Sequence, residues 1–449
     1  MSKPLDTLKV SSLQRQLSIA KTSLNIGRNW AKSGVTGFFL SKEEKQRQKQ
    51  RFLQEQANYL VNELGQLKGS VVKVGQMLAL YGEHFLPAQV VSALHTLDAH
   101  TAPLAWHIIY DAIKTELGER VDDFDIERTP IGTASLAQVH KATHKYTGRQ
   151  VVLKVQYPNV AAAIDSDLSI FKRLLKVTNA VPQTKALDAW FDEVRELLYR
   201  EVDYHLEAAT TKRFASRLGD NADYVVPTIY DNYSSARLIC MSFEAGIHLG
   251  DPALMTLSQD RRNRLGQLAI DVVIKEIFGW GEMQTDPNFG NYLVRLGEDG
   301  APDKLVLLDF GAIKQFDDKL LAIAKNLLLA GHHQDKAMMK AAMTGYEFFD
   351  KLNGKPKDDV ADVFLLACEP FANPDRLSDD KLDNGRYIWA KSNLYQRVMD
   401  NAKDGMTSLE FSLPPKEMMF ISRKFIGAYA LLSALDARTD AKQLMTPYL

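Results

Sequence analysis

Cysteine is nearly absent from this sequence: 449 residues carry two, Cys240 and Cys368. Neither stands in a CxxC-type spacing, which argues against a metal cluster, and so sparse a set fits a reducing interior better than a disulfide framework. Long hydrophobic runs are missing as well. No stretch reaches the roughly 18 apolar residues of a bilayer-crossing helix, and the nearest, Phe425–Leu435, is about half as long as needed. The first residues lack the continuous apolar core of a secretory signal. The expectation is a soluble, cytoplasmic protein without signal peptide or transmembrane segment. Charge of one sign is also lacking. The net charge is −1, so no global field draws the chain toward nucleic acid. Internal repeats and low-complexity tracts are absent too.

What is present is unevenly distributed. Residues 1–50 hold ten Lys/Arg against three Asp/Glu, a local excess of +7 that leaves the remainder at −8. Within them Leu13, Leu17, Leu24 and Ile26 share one helical face, with Arg15, Lys21 and Arg28 between. This basic amphipathic segment reads either as a helix packed on its own protein or as a membrane-surface helix. Ser41 and Glu44 form a capping-box pattern that opens a long helix with the stripe Leu53, Ala57, Leu60, Leu64 and Leu67. Up to residue 120 the chain reads as almost wholly helical.

The pattern changes at Val121. Short β-type runs follow to Pro158, around Ile131, over Ala137–Ala142 and over Val151–Gln156, with a turn at Thr147-Gly148. Helical periodicity returns over 161–218. Further short apolar runs stand at Ala236–Phe243, Tyr292–Val294 and Leu305–Leu308, and helices are expected from Gln315 to the end. At this length two or three packed units are expected. The partition is 1–52, a basic N-terminal segment; 53–120, a helical extension; 121–247, a first lobe with a helical insertion; and 248–449, a helical second lobe.

The chemistry lies in four elements in a fixed order. Gly132, Ala134, Ala137 and Val139 have the spacing of the kinase nucleotide loop GxGxxGxV, with alanine at the second and third glycine positions. Such a turn lets backbone N–H groups approach phosphates, and alanine restricts a backbone that glycine would leave free. Fifteen residues after Val139 stands Lys154, the position of the strand lysine that binds the α- and β-phosphates. Asp286 and Asn291 keep the five-residue separation of a kinase catalytic loop, in which the Asp meets the acceptor and the Asn holds metal. Asp309-Phe310-Gly311 is the triplet whose Asp would hold Mg²⁺. Each motif alone is weak, but four in order on the right secondary structure predict a protein-kinase-like fold. Peptide kinase features are missing: Gln284-Thr285 replace the residues of an HRD triplet, no APE follows, and a handful of residues separate Gly311 from the helix near Asp318.

These residues resemble the UbiB/AarF family of atypical kinases, associated with isoprenoid quinone biosynthesis and lipid homeostasis, from about residue 55 to about 435. Lys73-Val-Gly75-Gln76 is similar to the family's KxGQ signature, and Leu86-Pro87 fits after it. Thr133 to His140, with Ser135 inside, resembles its alanine-rich loop. Glu201, Asp203 and Glu207 match its ExD motif and helix glutamate; Asp286, Pro287, Gly290 and Asn291 match its modified catalytic loop. The resemblance implies an α+β, two-lobed kinase-like fold whose N-terminal helical extension covers the active site. It implies that Glu207 pairs with Lys154, and that Lys73 and Gln76 lie near the carboxylates of Glu201 and Asp203. The catalytic loop departs from the usual HADPHPGN, reading Gln284-Thr-Asp-Pro-Asn-Phe-Gly-Asn291, which puts the acceptor side in doubt while acid, amide and glycine persist.

The function expected is a Mg²⁺-dependent ATPase or small-molecule phosphotransferase, binding ATP or ADP, with a lipid or quinone-precursor ligand and peripheral membrane contact through residues 1–40. Two alternatives stay open. One is a nucleotide-binding regulator or chaperone of lipid-modifying enzymes, and the other a protein kinase held inactive by its N-terminal helices.

Overall fold

The computed structural model describes residues 73–75, 92, 103–177, 185–285, 289–352, 354–407 and 416–448. The 1–52 segment therefore lies outside the described residues, as do Gln76, Leu86-Pro87, Asp286 and Pro287. The helical extension is described at Lys73–Gly75 and Ser92, both helical, and beyond Ala102. The covering role expected of it thus falls on residues outside the description.

The chain divides into two compact units that are discontinuous in sequence. The first holds the described residues up to Lys212 together with Thr228–Phe243; the second holds Arg213–Pro227 and everything from Glu244 onward.

In the first unit helix α1 (Trp106–Leu117) is followed by β1 (Phe124–Ile126), β2 (Gly132–Thr133), β3 (Ala137–His144) and β4 (Gln150–Gln156), then α2 (Val160–Val177), α3 (Lys185–Glu201) and α4 (Tyr204–Leu218). After β5 (Tyr224–Val225), which belongs to the second unit, β6 (Leu238–Ser242) completes an antiparallel sheet of order β1-β3-β4-β6, with β2 on β3. Side chains alternate across this sheet with the strand period of two. Val151, Leu153 and Val155 of β4 pack with Leu238 and Cys240 in one core with Ile109 and Ile113 of α1, Ile164 and Phe171 of α2, and Val194 and Leu198 of α3. Val152 takes the other face with Ile239, Met241, Tyr204 and Ala208. Lys154, two residues beyond Val152, shares that face and is thereby directed toward α4.

In the second unit β7 (Ile247–His248) precedes α5 (Gln259–Ile274), which runs into a π-turn at Lys275–Gly279. Strands β8 (Glu282–Gln284), β9 (Tyr292–Arg295), β10 (Lys304–Leu307) and β11 (Ile313–Gln315) follow. Sheet order is β5-β10-β9-β7, and β8 pairs separately with β11. The remainder is largely helical: α6 (Asp318–His333), α7 (Lys336–Ala342), α8 (Glu347–Asp350), α9 (Lys355–Ala367), then α10 (Trp389–Ser392), α11 (Leu394–Thr407), α12 (Lys416–Ala434) and α13 (Ala441–Met445).

Two expectations need correction. The chain is not uniformly helical after Gln315, because β12 (Leu382–Asp383), β13 (Arg386–Ile388) and β14 (Arg438–Thr439) form a three-stranded sheet. Its hairpin turns on Asn384-Gly385, both with positive φ (51° and 78°), the Asn-Gly geometry that matches strand twist. Likewise residues 103–105 are not helical. Leu104 is held there by Gln138, whose Oε1 accepts the Leu104 N–H at 2.9 Å.

Gly266 of α5 sits where a Cβ would come within 2.5 Å of the Ala437 Cβ and 3.0 Å of Leu432 Cδ2. Glycine in a helix interior ordinarily costs up to about 1 kcal/mol against alanine. Here overpacking should reverse the sign, and Gly266→Ala is expected to destabilise by about 1–3 kcal/mol in urea unfolding. A rise in midpoint would show that α5 is not in this contact with Leu432 and Ala437.

Candidate active site

The nucleotide-loop residues lie in the first hairpin of the first unit. Gly132 pairs with Val139, and Val139 with Lys154, so all three stand in one cross-strand row. The turn is closed by the Ala134 N–H donating to the Ala137 carbonyl at 2.9 Å, and Ser135 and Ala137 are buried in it. Lys154 Nζ meets Glu207 Oε1 at 2.5 Å; the side chains are 15% and 3% exposed. The ring of Tyr204 lies 5.5 Å from the same ammonium. Glu207 reaches Lys154 from the first turn of α4.

The two ExD carboxylates are used differently. Glu201 pairs with Lys73 at 2.8 Å. Asp203 caps α4: its Oδ1 accepts the Leu206 N–H at 3.0 Å, and its carbonyl accepts the Glu207 N–H at 3.0 Å. It thereby fixes the start of the helix that presents Glu207.

In the second unit the β9–β10 hairpin pairs Tyr292 with Leu307, and one step further the Leu308 N–H donates to the Asn291 carbonyl at 2.9 Å. Asn291 and Asp309 are thus brought to the same end of the hairpin. At the other end of the segment 285–291 the N–H and hydroxyl of Thr285 both donate to the Ala312 carbonyl, at 2.8 and 2.9 Å. The loop is therefore pinned on both sides to the Asp309-Phe310-Gly311 segment. Asp309 Oδ1 accepts the Gly311 N–H at 2.8 Å, which sets its rotamer. Asp286 itself lies outside the described residues.

Sequence reasoning did not find several residues packed around this segment. Phe310 packs on Phe214, with ring centroids 4.8 Å apart, and Phe214 on Trp280 at 5.2 Å. Glu282 of β8 is 2% exposed and takes both Arg213, at 2.9 and 3.0 Å, and Arg217. The available signals were a glutamate inside an apolar strand and two arginines four apart on one helix. Gln284 is 3% exposed, and neither of its amide atoms has a partner among the described residues.

In the alanine-rich motif, Gln138 and His140 are buried on the α1 face. His140 faces Gln138 Nε2 at 3.0 Å and the Glu127 carbonyl at 2.8 Å; burial lowers its pKa, which favours a neutral ring donating from Nδ1. Both cysteines are free thiols pushed up to about 12 by burial, so neither is a thiolate nucleophile.

The ABC1 atypical kinase-like domain matches residues 96–343. The chain belongs to that family. The mitochondrial atypical kinase COQ8 of Schizosaccharomyces pombe is 30% identical over 97% of this chain and 67% of its own length. COQ8 of Saccharomyces cerevisiae is 27% identical over 98% of this chain and 86% of its own. In fold, the chain is similar to the solved Rv3197–erythromycin complex from Mycobacterium tuberculosis, with TM-score 0.56 and 21% identity, over 91% of this chain and 98% of that one. The UbiB/AarF-type resemblance and the α+β kinase-like fold are thereby borne out, and the family is one of kinase or ATPase type. Among the described residues no helix is long and apolar enough to cross a membrane.

Two outcomes follow from the packing. Asp203→Ala should cost about 1 kcal/mol by loss of the cap, with Asp203→Asn close to the parent, since asparagine caps as well. Equal losses in thermal unfolding would show that the charge of Asp203, not its capping oxygen, matters. Gln284→Met should raise stability by about 1–3 kcal/mol, because it removes an unsatisfied buried amide at similar volume. Unchanged or lower stability would mean the amide is satisfied in solution.

Proposed function

We propose that the chain binds Mg²⁺ and ATP and passes the terminal phosphoryl group to water or a small-molecule hydroxyl rather than to a peptide. The supporting observation is the ordered ligand set: Lys154 held by Glu207 in one unit, and Asn291 beside Asp309 in the other. The donor types fit the groups. An ammonium fixed by a buried carboxylate suits the α- and β-phosphates, and carboxylate and amide oxygens suit a hard divalent cation. Mg²⁺, when bound, neutralises charge on the phosphate oxygens. Asp286 orients the attacking hydroxyl or water, and the Gly132–Val139 turn offers backbone N–H groups to phosphate. Catalysis on this reading is positioning plus electrostatics.

The acceptor side rests on family likeness. A lipid or quinone precursor is the proposed acceptor class, in the setting of isoprenoid quinone biosynthesis or lipid homeostasis, and the +7 excess of residues 1–50 supports peripheral membrane contact through residues 1–40. Against peptide transfer stands the segment after Gly311: Ile313–Gln315 are consumed in pairing with β8, and α6 starts at Asp318. Ala134 and Ala137 in place of glycine favour a second reading, nucleotide binding that regulates a partner without obligatory turnover.

ATP with Mg²⁺ at about a hundredfold excess over its Kd should stabilise the protein by about 2.7 kcal/mol in thermal-shift titration. Lys154→Ala and Asp309→Asn should remove most of that shift and, in the parent that turns ATP over, the phosphate release. No shift with any adenine nucleotide would end this reading; a shift without turnover would leave the regulatory one.

A further inference from the structure

Behind the catalytic loop lies a buried charge pair that the motifs do not contain. Glu276 sits in the π-turn Lys275–Gly279, which leads through Trp280-Gly281 into β8 and the loop. Lys424 comes from α12. Their side chains are 3% and 4% exposed, with Nζ 3.0 Å from Oε2. The Lys424 ammonium also donates to the Tyr292 hydroxyl at 2.7 Å, and Tyr292 is the first residue after Asn291. One cation thus joins the turn before the loop to the residue after it.

We infer that Lys424 and Glu276 are positioning residues that hold the two described ends of the loop, Gln284-Thr285 and Asn291-Tyr292, in register with the Asp309 segment. Burial pushes the Glu276 carboxyl up, and the Lys424 ammonium beside it partly offsets this by favouring the ionised form. Lys424, although desolvated, is held charged by Glu276 and Tyr292. Gln284 is the last residue of β8 before the loop, and the π-turn that carries Glu276 leads into β8 through Trp280-Gly281. A pair this deep is a poor source of stability, since an apolar pair of equal volume would serve as well. Its geometric product is a fixed span between the Glu276 turn and Tyr292. The other anchors, Thr285 to Ala312 and Asn291 to Leu308, tie the loop to the Asp309 segment, whereas this one ties it to the helical body of the second unit. Neither side chain is assigned contact with nucleotide or acceptor.

The inference rests on the reading of this loop as catalytic, so its test includes a measurement that needs no turnover. In the full chain, Glu276→Gln combined with Lys424→Met removes both charges and keeps volume, avoiding a lone buried ion. Hydrogen exchange without nucleotide should rise about tenfold across Thr285–Tyr292, while Leu293–Val294 and Leu305–Val306 stay as protected as in the parent. With turnover, kcat should fall about tenfold while KM for ATP with Mg²⁺ changes little, the mark of lost positioning rather than lost binding. Tyr292→Phe, which removes one hydroxyl and folds where the double variant does not, should raise exchange at the downstream end of the loop. Exchange unchanged in both variants, or raised equally through β9 and β10, overturns the inference. A parent without turnover would end the catalytic reading of the loop and leave the exchange result to decide whether the pair braces it.

Discussion

The ion pair between Lys154 and Glu207 is the constraint around which the first unit is arranged. Two charged groups this deeply buried lose hydration that their mutual attraction repays only with good geometry. The surrounding structure supplies it. The alternation of β4 turns Lys154 toward the face shared with Tyr204 and Ala208, and Asp203 fixes the first turn of α4 so that Glu207 meets it. Sheet register then sets Gly132 and Val139 in the same row. A core built for stability alone would have no need of this pair, whereas the proposed presentation of a fixed cation to phosphate does.

The ExD carboxylates illustrate how one motif divides into two physical roles. Glu201 neutralises Lys73, a charge on a helix that sequence spacing would leave in solvent, while Asp203 spends its side chain on a backbone N–H. The cap matters because α4 carries more than Glu207. Its later residues, in the second unit, put Phe214 on Phe310 and two arginines on Glu282.

Much of the site was legible in the sequence because its motifs lie on short, local elements. The Gly132 hairpin, the Lys154 strand and the Asp309 triplet each combine a period-two run with a turn, and spacing suffices to order them. Glu207 was not legible from spacing, since it lies 53 residues beyond Lys154 and several glutamates compete; the family resemblance had to supply it. Glu276 and Lys424 were hidden for the same reason, being 148 positions apart and joined only by the fold. The β12–β13 hairpin is a different case. Its Asn384-Gly385 turn signal stands inside a stretch of helical periodicity, which masks so short a hairpin.

The segment after Asp309 bears most directly on chemistry. In a peptide kinase this stretch must be long and free enough to receive a substrate strand. Here Ala312 accepts Thr285 twice, Ile313–Gln315 complete a ladder with β8, and Asp317 caps α6 by accepting the Leu320 N–H at 2.7 Å. Ala312 and Ile313–Gln315 are thus engaged with Thr285 and β8, and Asp317 with the start of α6. Opening this segment for a peptide would break the Thr285 contacts that pin the start of that loop, so rigidity of the loop and access for a peptide oppose each other. A small acceptor that enters without displacing β11 meets no such conflict, and these hydrogen bonds are what support the proposed transfer to water or a compact hydroxyl.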